Sequence, residues 1–416
     1  MSIEWSKERK KYDNTVYTDL CAEYRNFEKH NDAQGMLEIR NRIATFDKEQ
    51  ARGSQLRSKA KILDSNEDPS SYFIKKEIHQ GKKKIVEEIE VNGIKTKKQQ
   101  EINKAFFDFY SKLYTAEEVA NLTHEYVADL PKLETQDSIG DQITLEDINF
   151  ALKQMENDKS PGPDGLTKEF YLEYIDILGP LLVMLFEAIY AAGHLSETMK
   201  LSHITLICKD ENSPHLCKNY RPISLLNLDY KIITKILSYK LRPYLPFLVH
   251  PDQTCSVKGR NIQDNCSYLR DIVDEINYEN DTGMVLSLDQ EKAFDRVSHT
   301  YLLNLLKEYG FSQRFQNWIR ILYSDIYSAV LVNGSVSDKF KITRSVRQGC
   351  PLSPLLYVLA LEPVLIKIRK DKDIIGCPIP GNRVNPPKLT AFADDCKFPV
   401  KNGQVSFKYN RTFCYL

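Results

Sequence analysis

No sign of charge is in excess in this sequence. Lysine plus arginine number 57 and aspartate plus glutamate 57 in 416 residues, which excludes a uniformly basic or acidic coat. No C-x-x-C pair occurs among the nine scattered cysteines, an odd number, so neither a disulfide framework nor a ribbon-type zinc site is indicated and a reducing compartment fits best. Cys208, His215 and Cys217, with His203 nearby, match no tetrahedral zinc spacing. No apolar core of signal-peptide length stands at the amino terminus, and the greasiest stretch, residues 177–193, is interrupted by Pro180 and Glu187. Neither a secretion signal nor a membrane span is expected, and the expected location is intracellular, in cytoplasm and nucleus.

What is present is an ordinary globular composition, 42% hydrophobic and 27% charged, with room for two or three domains. Charge is unevenly placed. Residues 52–104 carry about 13 basic against 8 acidic side chains, and residues 105–150 about 10 acidic against 2 basic. Such blocks suit either solvated helix faces or a segment that binds a polyanion. Residues 8–63 lack proline and place Leu37, Ile39, Ile43 and Phe46 at helical spacing, which predicts a helical arm. A turn-rich break at 64–71 and a basic run (Lys75, Lys76, Lys82, Lys83, Lys84) follow, then the hairpin dipeptide Asn92-Gly93. Residues 105–114 form a helix with an aromatic stripe, and Thr144 to Asp147 is a capping box that opens another. Two prolines and two glycines in residues 160–165 end that helix in a rigid loop. Downstream, strands are predicted at 203–208 and 284–288, the second buried, and helices at 230–241 and 301–309. A hairpin is predicted around Asn333-Gly334.

Three acidic points carry the chemistry. Asp289 stands at the exit of the strand 284–288, and Asp394 with Asp395 follows short residues after a Pro386-Pro387 turn, as if a strand ended in a tight bend. Singly, each reads as a solvent-facing turn. Brought together, they crowd like charges that divalent cations must neutralise, which is the design of a two-metal phosphoryl-transfer site. Two Mg²⁺ ions are the natural choice, with Mn²⁺ as a substitute, since hard cations prefer carboxylate and phosphate oxygens. In the segment Arg347 to Pro354, Ser353 is a good N-cap, Pro354 a good first helical residue and 355–361 a buried helix. Gln348 and Gly349 would let a flat amide and bare backbone approach a nucleotide.

The ordered set Asp289-Gln290-Glu291-Lys292-Ala293-Phe294-Asp295, Arg347 to Pro354, and Phe392-Ala393-Asp394-Asp395 resembles the reverse transcriptase of LINE-type non-LTR retrotransposons. The resemblance takes in residues 159–165, 218–227, 229–232 and 259–265, more weakly Ser71-Tyr72-Phe73 and residues 109–114, and covers roughly 50 to 398. It implies an α+β fold: a right-hand polymerase with palm and fingers and an antiparallel palm sheet, preceded by a mainly helical arm. The implied divisions are the arm at 1–115, a fingers-type region at 116–265, an incomplete palm at 266–398 and a non-family tail at 399–416. It implies an RNA-directed DNA polymerase adding dNTPs to a DNA primer on an RNA template, within a retrotransposon ribonucleoprotein. Asp289, Asp394 and Asp395 would be catalytic and metal-ligating. Phe294 would be the steric gate against a 2′-hydroxyl, Gln348 and Gly349 would lie against the incoming nucleotide, and Arg221 and Lys209 would contact its triphosphate.

Ser345 stands where the family usually has glycine, and Cys255-Ser256 where it has Gly-Phe. The chain is expected to lack the family's endonuclease and thumb, so a catalytically inactive RNA-binding relic is the alternative to an active enzyme. An RNA-directed RNA polymerase or an intron maturase is a third reading.

Overall fold

The computed structural model of the chain describes residues 2–30, 32–57, 85–116, 127–134, 137–280, 282–377 and 386–401. Two compact units divide after Ile85. The smaller contains α1 (Ser2–Lys29) and α2 (Ala33–Arg57), which pack on each other through buried Leu20 and Ile39 and a Tyr17–Phe46 ring contact at 5.9 Å. Asp32 starts α2 by accepting hydrogen bonds from the backbone of Gln34 and Gly35, at 3.1 and 3.0 Å, which satisfies two donors the first turn leaves open. The helical arm is thus a pair of helices. The turn-rich break at 64–71, Ser71-Tyr72-Phe73 and the basic run ending at Lys84 lie outside the described residues, as does the tail from residue 402.

In the larger unit, β1 (Ile89–Val91) and β2 (Ile94–Thr96) are joined by Asn92-Gly93 at φ 51° and 81°, the left-handed pair that a two-residue hairpin needs. Next, α3 (Gln99–Tyr114) buries Ile102, Phe106, Tyr110 and Tyr114, one per turn. Phe106 meets Tyr220 edge-on at 5.2 Å, and Tyr114 stacks on Phe340 at 6.2 Å. Burying each ring contributes roughly 2–3 kcal/mol. These contacts put α3 in the core of the larger unit, whereas the sequence reading grouped all of 1–115 as one arm.

The reciprocal Thr144–Asp147 box opens α4 (Leu145–Lys153). After the proline-glycine loop come α5 (Lys168–Glu173) and α6 (Ile175–Ala192). By length and composition α6 is long and apolar enough to cross a membrane; it buries Gly179, Leu182, Phe186 and Ile189 within this unit and leaves Ile177, Leu181 and Met184 exposed. It runs unbroken through Pro180, near its start, where a missing N–H forfeits one bond. The remaining elements are β3 (Leu201–Cys208), β4 (Tyr220–Leu225), α7 (Leu228–Leu241), α8 (Ile262–Tyr278), β5 (Gly283–Asp289), α9 (Ala293–Arg296), α10 (His299–Glu308), α11 (Gln313–Tyr323), β6 (Ile326–Val332), β7 (Ser335–Val336), β8 (Phe340–Ile342), α12 (Ser353–Lys370), β9 (Thr390–Phe392) and β10 (Asp395–Lys401).

The fold is α+β with two principal sheets. One runs β4-β3-β6-β7, with β8 also on β6; β3 and β6 are parallel and the other pairs antiparallel. Strands from residues 326–342 therefore complete a sheet begun at 201–225, so a linear division at residue 265 cuts through one sheet. The other sheet, β5-β10-β9, is wholly antiparallel. In α12, residues 355–361 are all buried, as predicted.

Three local expectations are corrected. The strand at 284–288 is not buried: β5 is the edge of its sheet, and Met284 and Val285 are 40% and 44% exposed. Ser353 does not cap α12. Leu352 holds the N-cap position without a side-chain bond, and Ser353 is the first helical residue, turned into the core because that helix start is itself buried. The sheet also continues past Phe398, with Pro399 opposite Val285 and Lys401 opposite Gly283.

Candidate active site

The antiparallel sheet assembles the three acids. β5 ends at Asp289 and β10 begins at Asp395, and these two residues are directly paired across the strands, so their side chains leave the same face. The turn from β9 to β10 is Ala393-Asp394, tight enough that Phe392 pairs with Asp395. Ala393 adopts φ 55°, which puts Asp394 at the apex. Burial, and then the charges of Asp289 and Asp395, push the Asp394 carboxyl above its ordinary value, with Lys209 opposing. Asp395 is exposed and has its own counter-ion, Lys397 Nζ at 3.1 Å.

Among the described residues, no group of three His, Cys, Asp or Glu side chains is placed so that it could hold a metal ion. The acids nonetheless fit a hard divalent ion in kind: all donors are carboxylate oxygens, and Asp394 carries like-charge repulsion that a cation would relieve. Mg²⁺ commonly takes one or two carboxylates and completes its shell with water and substrate phosphate.

Phe294 lies on α9, just after Asp289. Its ring stacks on Tyr357 of α12 at 4.5 Å and 12°, and its carbonyl accepts from Val346 N at 2.8 Å. The Tyr357 hydroxyl donates to Gln290 Oε1 at 2.5 Å and is held neutral by burial together with the charges of Asp394 and Asp289. The charges of Asp394 and Asp289 therefore reach the ring stack.

Gln348 donates its amide to both oxygens of Asp295, at 3.2 and 3.1 Å, and its carbonyl accepts from Ser224 N at 2.8 Å. A Cβ on Gly349, at φ 105°, would lie 2.7 Å from the Ser224 carbonyl oxygen. The close approach that demands glycine here is made by β4. Ser345, at φ 111°, occupies backbone suited to the glycine the family usually has there.

Lys209 and Arg221 are exposed near the end of the β3–β4 pair, where Ile207 faces Arg221 and Lys209 N donates to Asn219 O at 2.8 Å. Their charges reach Lys292, whose Nζ donates to the carbonyls of Lys218 and Tyr220 at 3.1 Å each and sits 5.7 Å from the centre of the Phe109 ring. Burial lowers the Lys292 value, and Lys209 and Arg221 add to that. Of the five residues expected beside the acids, Lys209 acts on Asp394 through its charge and Phe294 is linked to the acids through Tyr357, whereas Gln348 and Gly349 are bonded to or packed on Asp295 and Ser224, and Arg221 acts on Lys292.

Sequence reasoning assigned no role to Lys292, Asp295 or Tyr357. The first two stood inside the quoted motif, and their charge at and within so short a helix was the available signal. Asp295 is fully buried, accepts from Tyr114 Oη at 3.1 Å and from Gln348, and has its carboxyl pushed up to about 6 by burial, against the pull of Tyr114 and Lys292. Because the folded form holds the proton more tightly than the unfolded, this group's stabilisation is complete below the ordinary carboxylate value and is lost as pH rises through 6. The span corresponds to about 3 kcal/mol. Asp295→Asn, which cannot ionise, should flatten the stability curve between about pH 4 and 6. Denaturation midpoints that fall in parallel for both proteins over that window would refute the assignment.

Against known proteins, residues 207–405 match the family described as reverse transcriptase (RNA-dependent DNA polymerase). The chain is 35% identical over 366 residues to the Transposon TX1 uncharacterized 149 kDa protein of Xenopus laevis, covering 86% of this chain and 27% of that one. It is 25% identical over 253 residues to a Pol polyprotein of the retrotransposable element R2DM of Drosophila melanogaster, covering 61% and 23%. With a Pol polyprotein of the element R2 of Popillia japonica it shares 29% over 257 residues, covering 61% and 34%. The chain spans about a quarter to a third of the length of these relatives.

Proposed function

Residues 207–405 belong to the reverse transcriptase family, and the chain carries the reverse transcriptase region of a non-LTR retrotransposon Pol protein; from that premise we propose that it extends a DNA primer along an RNA template inside the cell, within a ribonucleoprotein. In the step, the primer 3′-oxygen bonds to the α-phosphorus of a dNTP, the bond to pyrophosphate breaks, and the hydroxyl proton passes to solvent water. The observation that carries this reading is the direct pairing of Asp289 with Asp395, with Asp394 at the adjoining turn.

On this reading the β5-β10-β9 sheet is the palm, and the β3–β4 pair with α3 behind it belongs to the fingers. Asp289 and Asp394, flanked by Asp395, would hold two Mg²⁺ ions. Bound there, divalent cations neutralise the phosphates and favour in-line displacement at phosphorus. The chain's own groups do the rest. Lys209 and Arg221 offset triphosphate charge, the arginine as a planar fork. Lys292, already pinned by two carbonyls, adds fixed positive potential beside them. Phe294 lies under the sugar, and Gln348, oriented by Asp295, lines the nucleotide's approach.

Primer extension on an RNA template with Mg²⁺ tests the reading, and deoxynucleotide incorporation is the expected result. RNA binding without incorporation would mark an inactive relic, and preference for ribonucleotides an RNA-directed RNA polymerase.

A further inference from the structure

Ala393 is an unusual residue to find at φ 55°. A left-handed non-glycine costs on the order of 1 kcal/mol or more and persists only where its surroundings over-determine it. Here they do. The Gln253 side chain is fully buried and closes on both polar groups of Ala393: Oε1 accepts from Ala393 N at 3.0 Å, and Nε2 donates to Ala393 O at 3.3 Å. Oε1 also accepts from Cys255 N at 3.0 Å, which fixes the amide from its other side.

The segment carrying Gln253 is itself immobilised against β9. Gln253 bridges Ala391 in parallel, Ala391 N donates to Asp252 O at 2.8 Å, and Thr254 N donates to Ala391 O at 3.0 Å. Asn265 Nδ2 of α8 donates to the same Ala391 oxygen at 3.0 Å. Behind it, Arg369 of α12 forks onto both Asp252 oxygens, at 2.7 and 2.6 Å, and also reaches Glu362 at 2.7 Å. A continuous bonded path therefore runs from α12 through Asp252 and Gln253 to the residue before Asp394.

We infer that Gln253 is a positioning residue for the acidic turn: by holding Ala393 in its left-handed setting through one donor and one acceptor, it aims the Asp394 carboxylate and so sets the affinity of the three acids for divalent cations. The inference rests on the reading of these acids as a metal-binding catalytic site. It concerns a side chain that touches neither nucleotide nor template. Only a primary amide of this length supplies both bonds; methionine matches the volume with neither, and asparagine draws the amide back by one methylene.

The test compares wild type, Gln253→Met and Asp394→Asn for Mn²⁺ binding, read from the free-ion electron paramagnetic resonance signal, and for primer extension against Mg²⁺ concentration. Loss of an outer partner of a metal ligand typically weakens binding by about 10- to 100-fold. Gln253→Met should weaken Mn²⁺ binding and raise half-saturating Mg²⁺ by about tenfold, with kcat lowered and the dNTP KM unchanged. The loss should shrink on an Ala393→Gly background, since glycine reaches φ 55° without strain, and two strictly additive changes would overturn the mechanism. Should Gln253→Met fail to fold, Gln253→Asn gives the same comparison. Metal affinity unaltered by the Gln253 change, in a protein whose binding disappears with Asp394→Asn, overturns this inference alone. Wild type that neither incorporates nucleotide nor shows Asp394-dependent Mn²⁺ binding overturns the underlying reading, and this inference with it.

Discussion

Asp394→Asn should reduce templated incorporation by about a thousandfold or more while leaving the melting temperature unchanged or higher. The two halves of that expectation share a cause. Asp394 is the acid on which repulsion converges, its carboxyl raised first by burial and then by Asp289 and Asp395. Taking away its charge relieves the folded protein and, on the proposed two-metal reading, removes an anionic oxygen from the point where cations would gather. On that reading several kcal/mol of transition-state stabilisation depend on that oxygen, and each 1.4 kcal/mol is about tenfold in rate. Asp289→Asn should be comparably inactive. Asp395→Asn should lose less, because its carboxylate is exposed and already paired with Lys397 at 3.1 Å. Primer extension beside thermal melts of the three variants makes the check. If Asp394→Asn stays active and only the melting temperature moves, the turn is a structural feature and the acids are not a reaction centre.

Local signals in the sequence transferred well because they depend on neighbours. Asn92-Gly93 forms its hairpin, and Thr144 and Asp147 cap each other. The acids were legible for a related reason: a carboxylate at the end of a strand and a pair in a tight bend are each short-range patterns, and the family order joined them. What stayed hidden depends on residues far away in the chain. Nothing near His203 announces that β3 lies parallel to β6, more than 120 residues on. The apolar run of β5 reads as buried because hydrophobicity alone does not distinguish a central strand from an edge strand. Asp295 reads as a surface acid until Tyr114, from α3, and Gln348 close over it. Gly349 reads as room for a nucleotide until the Ser224 carbonyl fills that room. Gln253 gave no local sign, since the backbone it serves lies 140 residues downstream.

Phe294→Val should raise ribonucleotide incorporation relative to deoxynucleotide by roughly 10- to 100-fold, with deoxynucleotide incorporation retained. On the proposed reading the ring excludes by position, and its position is doubly fixed. Val346 N holds the Phe294 carbonyl at 2.8 Å, and Tyr357 backs the ring at 4.5 Å, nearly parallel. A side chain so supported cannot swing aside for a 2′-hydroxyl without breaking the stack, and a shape-based exclusion of this kind is worth about 1–3 kcal/mol. Valine clears the space and leaves the backbone bond intact. The backing residue should matter through its ring and not through its hydroxyl. Tyr357→Phe, which loses only the bond to Gln290, should keep sugar selectivity, whereas Tyr357→Leu should relax it in part by freeing the gate. Competition between dCTP and CTP opposite template guanine gives the ratio for each protein. A ratio that Phe294→Val leaves untouched would return the ring to the hydrophobic core and strip it of any part in choosing the sugar.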